Sequence, residues 1–133
     1  MNQKSKYRLR INSTIIGYAE ELDEGILLKG NSVEQAWYNL KEYNKIDRHV
    51  GIQDKFHRDI YENDLVNYRL NGKSPMRKGV ILQSQTMESF GILDLESKHF
   101  THLFINDICL FQSEKMEIYS HLFNHPELES KFT

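Results

Sequence analysis

The chain reads as short runs of alternating apolar and polar residues separated by turn chemistry. Lys6 to Ile16 runs K-Y-R-L-R-I-N-S-T-I-I, with Tyr7, Leu9 and Ile11 alternating against Lys6, Arg8 and Arg10. A period of two belongs to a half-buried strand, here one with a basic outer face. Gly17 and then Asp23-Glu24-Gly25 supply turns, and Ile26-Leu27-Leu28 is a short apolar strand closed by Lys29-Gly30-Asn31. Ser32 precedes Gln35 at the spacing of a capping box. Val33, Ala36, Trp37, Leu40 and Tyr43 then recur at helical spacing. They predict an α-helix over 33–43 whose apolar stripe covers one opening of a sheet.

Ile46 to Lys55 reads as an irregular approach to a turn at Phe56-His57-Arg58-Asp59. Ile60, Leu65, Val66, Tyr68 and Leu70 are strand material around a bend at Glu62-Asn63-Asp64, and Asn71 to Pro75 is a surface loop. Further strands are expected over 78–83, 90–95, 99–105 and 116–123, with a turn at Asn106-Asp107 and a short apolar run at 108–111. Pro126-Glu127-Leu128-Glu129 starts a brief terminal helix. Short strands with turns between them and one main helix predict a mainly β fold. The expected form is a small pseudo-barrel or strongly curved sheet capped by the 33–43 helix.

Composition narrows this. A length of 133 residues fits a single domain, 1–133, that folds without disulfide or metal support. The 11% aromatic share tilts the reading toward sheet. A net charge of −2 gives no bulk attraction for nucleic acid or membrane, although it leaves room for a local patch. The only cysteine, Cys109, forbids an intramolecular disulfide and suits a reducing cytosol. The polar start from Met1 to Lys6 carries no signal-peptide or membrane-spanning pattern.

Candidate chemistry is sparse. His121 and His125 have the spacing of two imidazoles on one helix face, but Pro126 biases His125 away from helical geometry. His99 and His102 fall on opposite faces of a strand. No dense ligand set joins these residues, so hydrogen-bonded or solvated histidines are expected, with no metal and no cofactor. Cys109 lies in an apolar run, which disfavours a thiolate nucleophile. Asp54, Asp59, Glu62 and Asp64 crowd together in the manner of a magnesium or acid–base site, yet short acidic side chains also cap turns, and turns flank this strand. Serine-hydrolase and nucleotide-loop signatures are missing. Two basic clusters remain: Lys4, Lys6, Arg8 and Arg10 along the first strand, and Arg69, Lys73, Arg77 and Lys78 around the 71–76 loop. Side by side they would bind phosphate or an acidic protein, with Tyr7 and Tyr68 available for stacking.

Gly51-Ile52-Gln53-Asp54-Lys55 followed by Asp59-Ile60-Tyr61-Glu62-Asn63-Asp64-Leu65-Val66 resembles the signature of the YopX family of phage and prophage proteins. That signature runs approximately G-L-x-D-x-x-G-x-x-I-Y-E-G-D-I-V. The tail from Met116 to Leu128 looks like the family's closing E-V-I-G-N-I-Y-E-N-P-E-L. Asn63 replaces a glycine, and Phe56-His57 replaces Asn-Gly, which puts the type of that turn in question. The resemblance implies a pseudo-barrel capped by a helix, an accessory gene expressed in the cytoplasm of a bacterial host, and self-association. It supplies no catalytic residue. The resulting expectation is a non-enzymatic protein that binds a host or phage protein, for instance as an inhibitor of a host defence factor. The alternative is a nucleic-acid-binding module using the basic clusters. Asp54 and Asp64 are expected as turn acceptors, with Ile60, Leu65 and Val66 in the core and Tyr61 partly buried.

Overall fold

The computed structural model describes residues 5–23, 25–29, 42–84 and 89–132. The helix expected over 33–43 lies, up to residue 41, outside the described residues. The fold is mainly β and antiparallel, and the chain divides into two compact units, 1–49 and 50–133.

In the first unit, β1 (Lys6–Ile11) and β2 (Thr14–Leu22) form a hairpin. β2 also pairs with β3 (Gly25–Lys29), and β1 pairs with the start of β4 (Lys45–Gln53). The single run expected over 6–16 is broken because Asn12 takes a left-handed φ of 53° and turns the chain. Asn does this more readily than any other non-glycine residue. Gly17, expected in a turn, instead sits inside β2 opposite Leu9. The stretch expected to be irregular after Ile46 is β4. Its alternation was hidden because one of its buried positions is the charged Asp47. Leu9, Ile16 and Ala19 form the core of this unit, with Tyr7, Ile11 and Leu28 packed against them.

In the second unit β4 ends and is followed by β5 (Asp59–Tyr61), β6 (Asp64–Tyr68), β7 (Arg77–Gln83), β8 (Phe90–Asp94) and β9 (Phe100–His102). A small hairpin of β10 (Phe104–Ile105) and β11 (Ile108–Cys109) follows, then β12 (Met116–His121) and α1 (Pro126–Glu129). The strand expected over 99–105 is interrupted at Leu103, and the last strand gives way to a 3-10 turn at Leu122–Asn124. A five-stranded sheet has the order β12-β6-β7-β8-β9. Both this sheet and that of the first unit end in edge strands, so no closed barrel is found among the described residues.

The period of two sorts this sheet into two faces. Val66, Tyr68, Ile81, Ile92 and Met116 face one core with Val50, Ile60, Leu103 and Phe111. On the other face Leu65 and Val80 pack under Leu122, with Leu82, Leu93, Leu128 and Phe132 around them. The C-terminal segment therefore covers part of the outer face. Gly79 permits the close packing of the inner one, since a Cβ there would collide with Ile92 and Tyr68.

Candidate functional site

The 54–58 turn is built around one carboxylate. Asp54 Oδ1 accepts the backbone N–H groups of Phe56 and Arg58, each at 3.0 Å. Its Oδ2 accepts the Ile118 amide at 3.1 Å and Arg58 Nε at 2.9 Å. Burial alone would raise its pKa; the Arg58 side chain and these amides outweigh that and lower it. Asp64 closes the next turn by accepting the Tyr61 amide at 2.8 Å. His57 and Asn63 occupy the two left-handed positions, at φ 61° and 72°. Ile60, Leu65 and Val66 are core, and Tyr61 is buried with them, beyond the partial burial expected. Two of these acids, Asp54 and Asp64, are thus used for turns, while Asp59 accepts from Gln53 Nε2 at 3.1 Å. Among the described residues no group of three His, Cys, Asp or Glu side chains could hold a metal ion.

Three of the six histidine side chains have hydrogen bonds of known geometry: His121 Nδ1 to Asp64 Oδ1 at 2.7 Å, His125 Nε2 to Ser120 Oγ at 2.8 Å, and His102 Nδ1 to Ser89 Oγ at 3.2 Å. Cys109 is partly buried and donates to the Phe111 carbonyl.

The basic residues separate by unit. Arg8 and Arg10 do not form an exposed basic face. They are buried, with Arg8 Nε 2.9 Å and Arg10 Nε 2.8 Å from Asp47 Oδ2, and Arg10 Nη2 2.9 Å from Oδ1. Asp47 on β4 lies opposite Arg8 in register, which brings the carboxylate onto the cations. Lys6 also lies in the first unit. Tyr7 donates to Glu21 at 3.0 Å. In the second unit Arg69 and Lys73 are exposed on the 69–76 loop. Arg77 lies 3.6 Å from Asp94. Tyr68 is buried and donates to Asp94 at 2.7 Å, so it cannot stack on a ligand. Burial would raise the Asp94 pKa, but the Ser97 amide, the Tyr68 hydroxyl and the Glu96 amide hold it at about 2.

Lys78 is different. It is exposed on the outer face beyond the reach of the C-terminal cover, in the cross-strand row Glu117–Asn67–Lys78. Its Nζ stands 4.3 Å from the centre of the Tyr119 ring. Glu117 continues the row to Lys55, 3.7 Å away. Beside it the exposed Phe56 ring lies under Lys55 Nζ at 5.0 Å and the Arg58 guanidinium at 5.3 Å. Phe56 and Tyr119 are 58% and 37% exposed, the reverse of an aromatic core. Sequence reasoning passed over both residues. Phe56 looked like a poor turn residue and Tyr119 like an ordinary strand position; only the turn's attachment to β12 reveals their common setting.

A scan of known protein families finds none that matches the chain, and a search of curated proteins finds none.

Proposed function

We propose that this chain is a non-enzymatic phage or prophage accessory protein that binds a protein of the bacterial host or of the phage, with inhibition of a host defence factor as its specific form. The observation that carries the binding reading is the β10–β11 hairpin. Ile105 and Ile108 are direct cross-strand partners, 52% and 66% exposed, and Leu110 beside them is 44% exposed. A contiguous apolar tip of this kind costs hydration free energy unless a partner covers it. Phe111 and Phe123 are buried and Phe104 is half-buried, so the hairpin tip is the apolar contact available for self-association.

The phage origin, the cytoplasmic setting and the pseudo-barrel capped by the 33–43 helix belong to the same proposal. Their support is the YopX-like motif, whose Asp54, Asn63 and Asp64 occupy turn positions where a fold-forming signature needs them. Among the described residues no helix is long and apolar enough to cross a membrane.

The test is capture from host lysate by the immobilised chain, beside the Ile105→Ser/Ile108→Ser variant. A dominant protein retained by the parent and lost by the variant is the expected result. An empty capture overturns the reading.

A further inference from the structure

We propose that the uncovered end of the second unit's outer sheet face binds single-stranded nucleic acid, with Phe56 and Tyr119 stacking on bases and Lys55, Arg58 and Lys78 meeting phosphates. The site goes beyond the protein-binding reading and uses none of the hairpin residues.

Three features converge on it. The rings come first: Phe56 on the 54–58 turn and Tyr119 on β12 are both exposed aromatics. An exposed flat ring accepts any base, which is how sequence-tolerant single-strand sites gain affinity.

The cations come second. Each ring has an ammonium or guanidinium within 5.3 Å of its centre. A base stacking on either ring displaces a cation from that face and leaves the charge at the ring's rim, where the incoming phosphate meets it. Asp54, the carboxylate under Arg58, is buried, and the Arg58 side chain remains 50% exposed. Lys55, Arg58 and Lys78 against Asp54 and Glu117 leave one net positive charge on this end of the face. Arg69 and Lys73 on the adjoining loop add to the same sign.

The rigidity of the platform comes third. The Lys55 amide donates to the Met116 carbonyl at 2.9 Å, and Arg58 Nη2 to the Ile118 carbonyl at 2.8 Å. The Phe56 turn is therefore fastened along the edge of β12, and Lys78 reaches Tyr119 from two strands away. At the usual strand spacing the row from Lys78 to Lys55 spans about 15 Å. A duplex would hide the bases that the rings need, so a single strand is the matching ligand.

The experiment is a fluorescence-anisotropy titration of the full chain into a labelled oligothymidylate of about 15 nucleotides, within the range of known small β-domain sites. Binding should weaken as salt rises from about 50 to 200 mM, with a log–log slope of about −2 for three phosphate contacts. Phe56→Ala and Tyr119→Ala should each weaken it about tenfold. Tyr119→Phe, which keeps the ring, should restore parent affinity, and Lys78→Met should make the slope shallower by about 0.7. Circular-dichroism melts establish that each variant is folded. The tyrosine-to-phenylalanine exchange keeps the test decisive if an alanine variant melts early. The proposal is overturned by no anisotropy change at low salt or by equal affinity for a matched duplex. Competition by polyglutamate with both alanine variants unaffected would also sink it, since it would identify a charge-only surface for an acidic protein.

Discussion

Arg10 on β1 and Lys78 on β7 are both cations carried on strands, and the fold gives them opposite surroundings. Arg10 is buried and grips Asp47 through two nitrogens; Lys78 stands in solvent over a tyrosine ring. The difference lies in what the neighbouring strand brings. β4 delivers a carboxylate opposite Arg8, whereas β6 delivers the neutral Asn67 opposite Lys78. A buried guanidinium needs an ionic partner because desolvation costs several kcal/mol per ion. An exposed lysine needs none. Charge on a strand therefore predicts a binding face only when the adjacent strand is also known.

The sharpest way to break that comparison is Asp47→Ala. It removes the carboxylate that two buried guanidinium groups share, and breaking such a pair typically costs about 3–5 kcal/mol. Urea denaturation should show the loss, and hydrogen exchange should place it in β1 and β2. A loss below about 1 kcal/mol would mean that Arg8 and Arg10 reach water without Asp47, and the contrast with Lys78 would collapse.

The second unit has a carboxylate of its own that should respond to pH. Asp94 titrates near 2 in the fold against 3.8 for the free group. A depressed pKa contributes stability above the unfolded value and loses it as pH falls through the folded one. The contribution of about 2 kcal/mol should be complete above about pH 4 and vanish toward pH 2. Asp54 is shifted in the same direction, so it adds to the acid limb. Thermal melts across this range should show a shallower acid limb for Asp94→Asn than for the parent. Parallel limbs would show that Asp94 is not the group responsible.

How much of this was legible in the sequence depends on whether a residue's role is local. The Asp54 and Asp64 turns were readable because each carboxylate bonds amides within a few residues. So were β7 and β8, whose apolar residues stand in uninterrupted runs. β4 was not, because Asp47 occupies a buried position and its partners Arg8 and Arg10 are 39 and 37 residues away. Burial of Tyr68 was invisible for the same reason: its acceptor Asp94 comes from the far side of Gly79, 26 residues along the chain. The Phe56–Tyr119 face was equally hidden, since the turn and β12 meet only through long-range hydrogen bonds.

A smaller effect is expected at the left-handed turn positions. His57 holds φ 61°, a left-handed conformation that glycine adopts without a Cβ penalty. His57→Gly should stabilise the second unit by about 1 kcal/mol, read as a shift in the urea midpoint at unchanged slope. A destabilised variant would mean that the imidazole makes a contact worth more than the backbone strain.

The smallest expected effect completes the contrast with Asp47. Lys78→Met keeps the apolar stem over Tyr119 and removes only the charge, so stability should move by less than about 0.5 kcal/mol. Arg10→Met deletes a buried partner of Asp47 and should cost several times more. The same Lys78 substitution is expected to change the salt dependence of single-strand binding, because a phosphate contact releases counterions whether or not the side chain supports the fold. Stability and binding thus move independently at Lys78, whereas Arg10 has only a stability role. If Lys78→Met destabilised the protein as much as Arg10→Met, the exposed cation would belong to the architecture, and the outer face would lose its claim to be a binding surface.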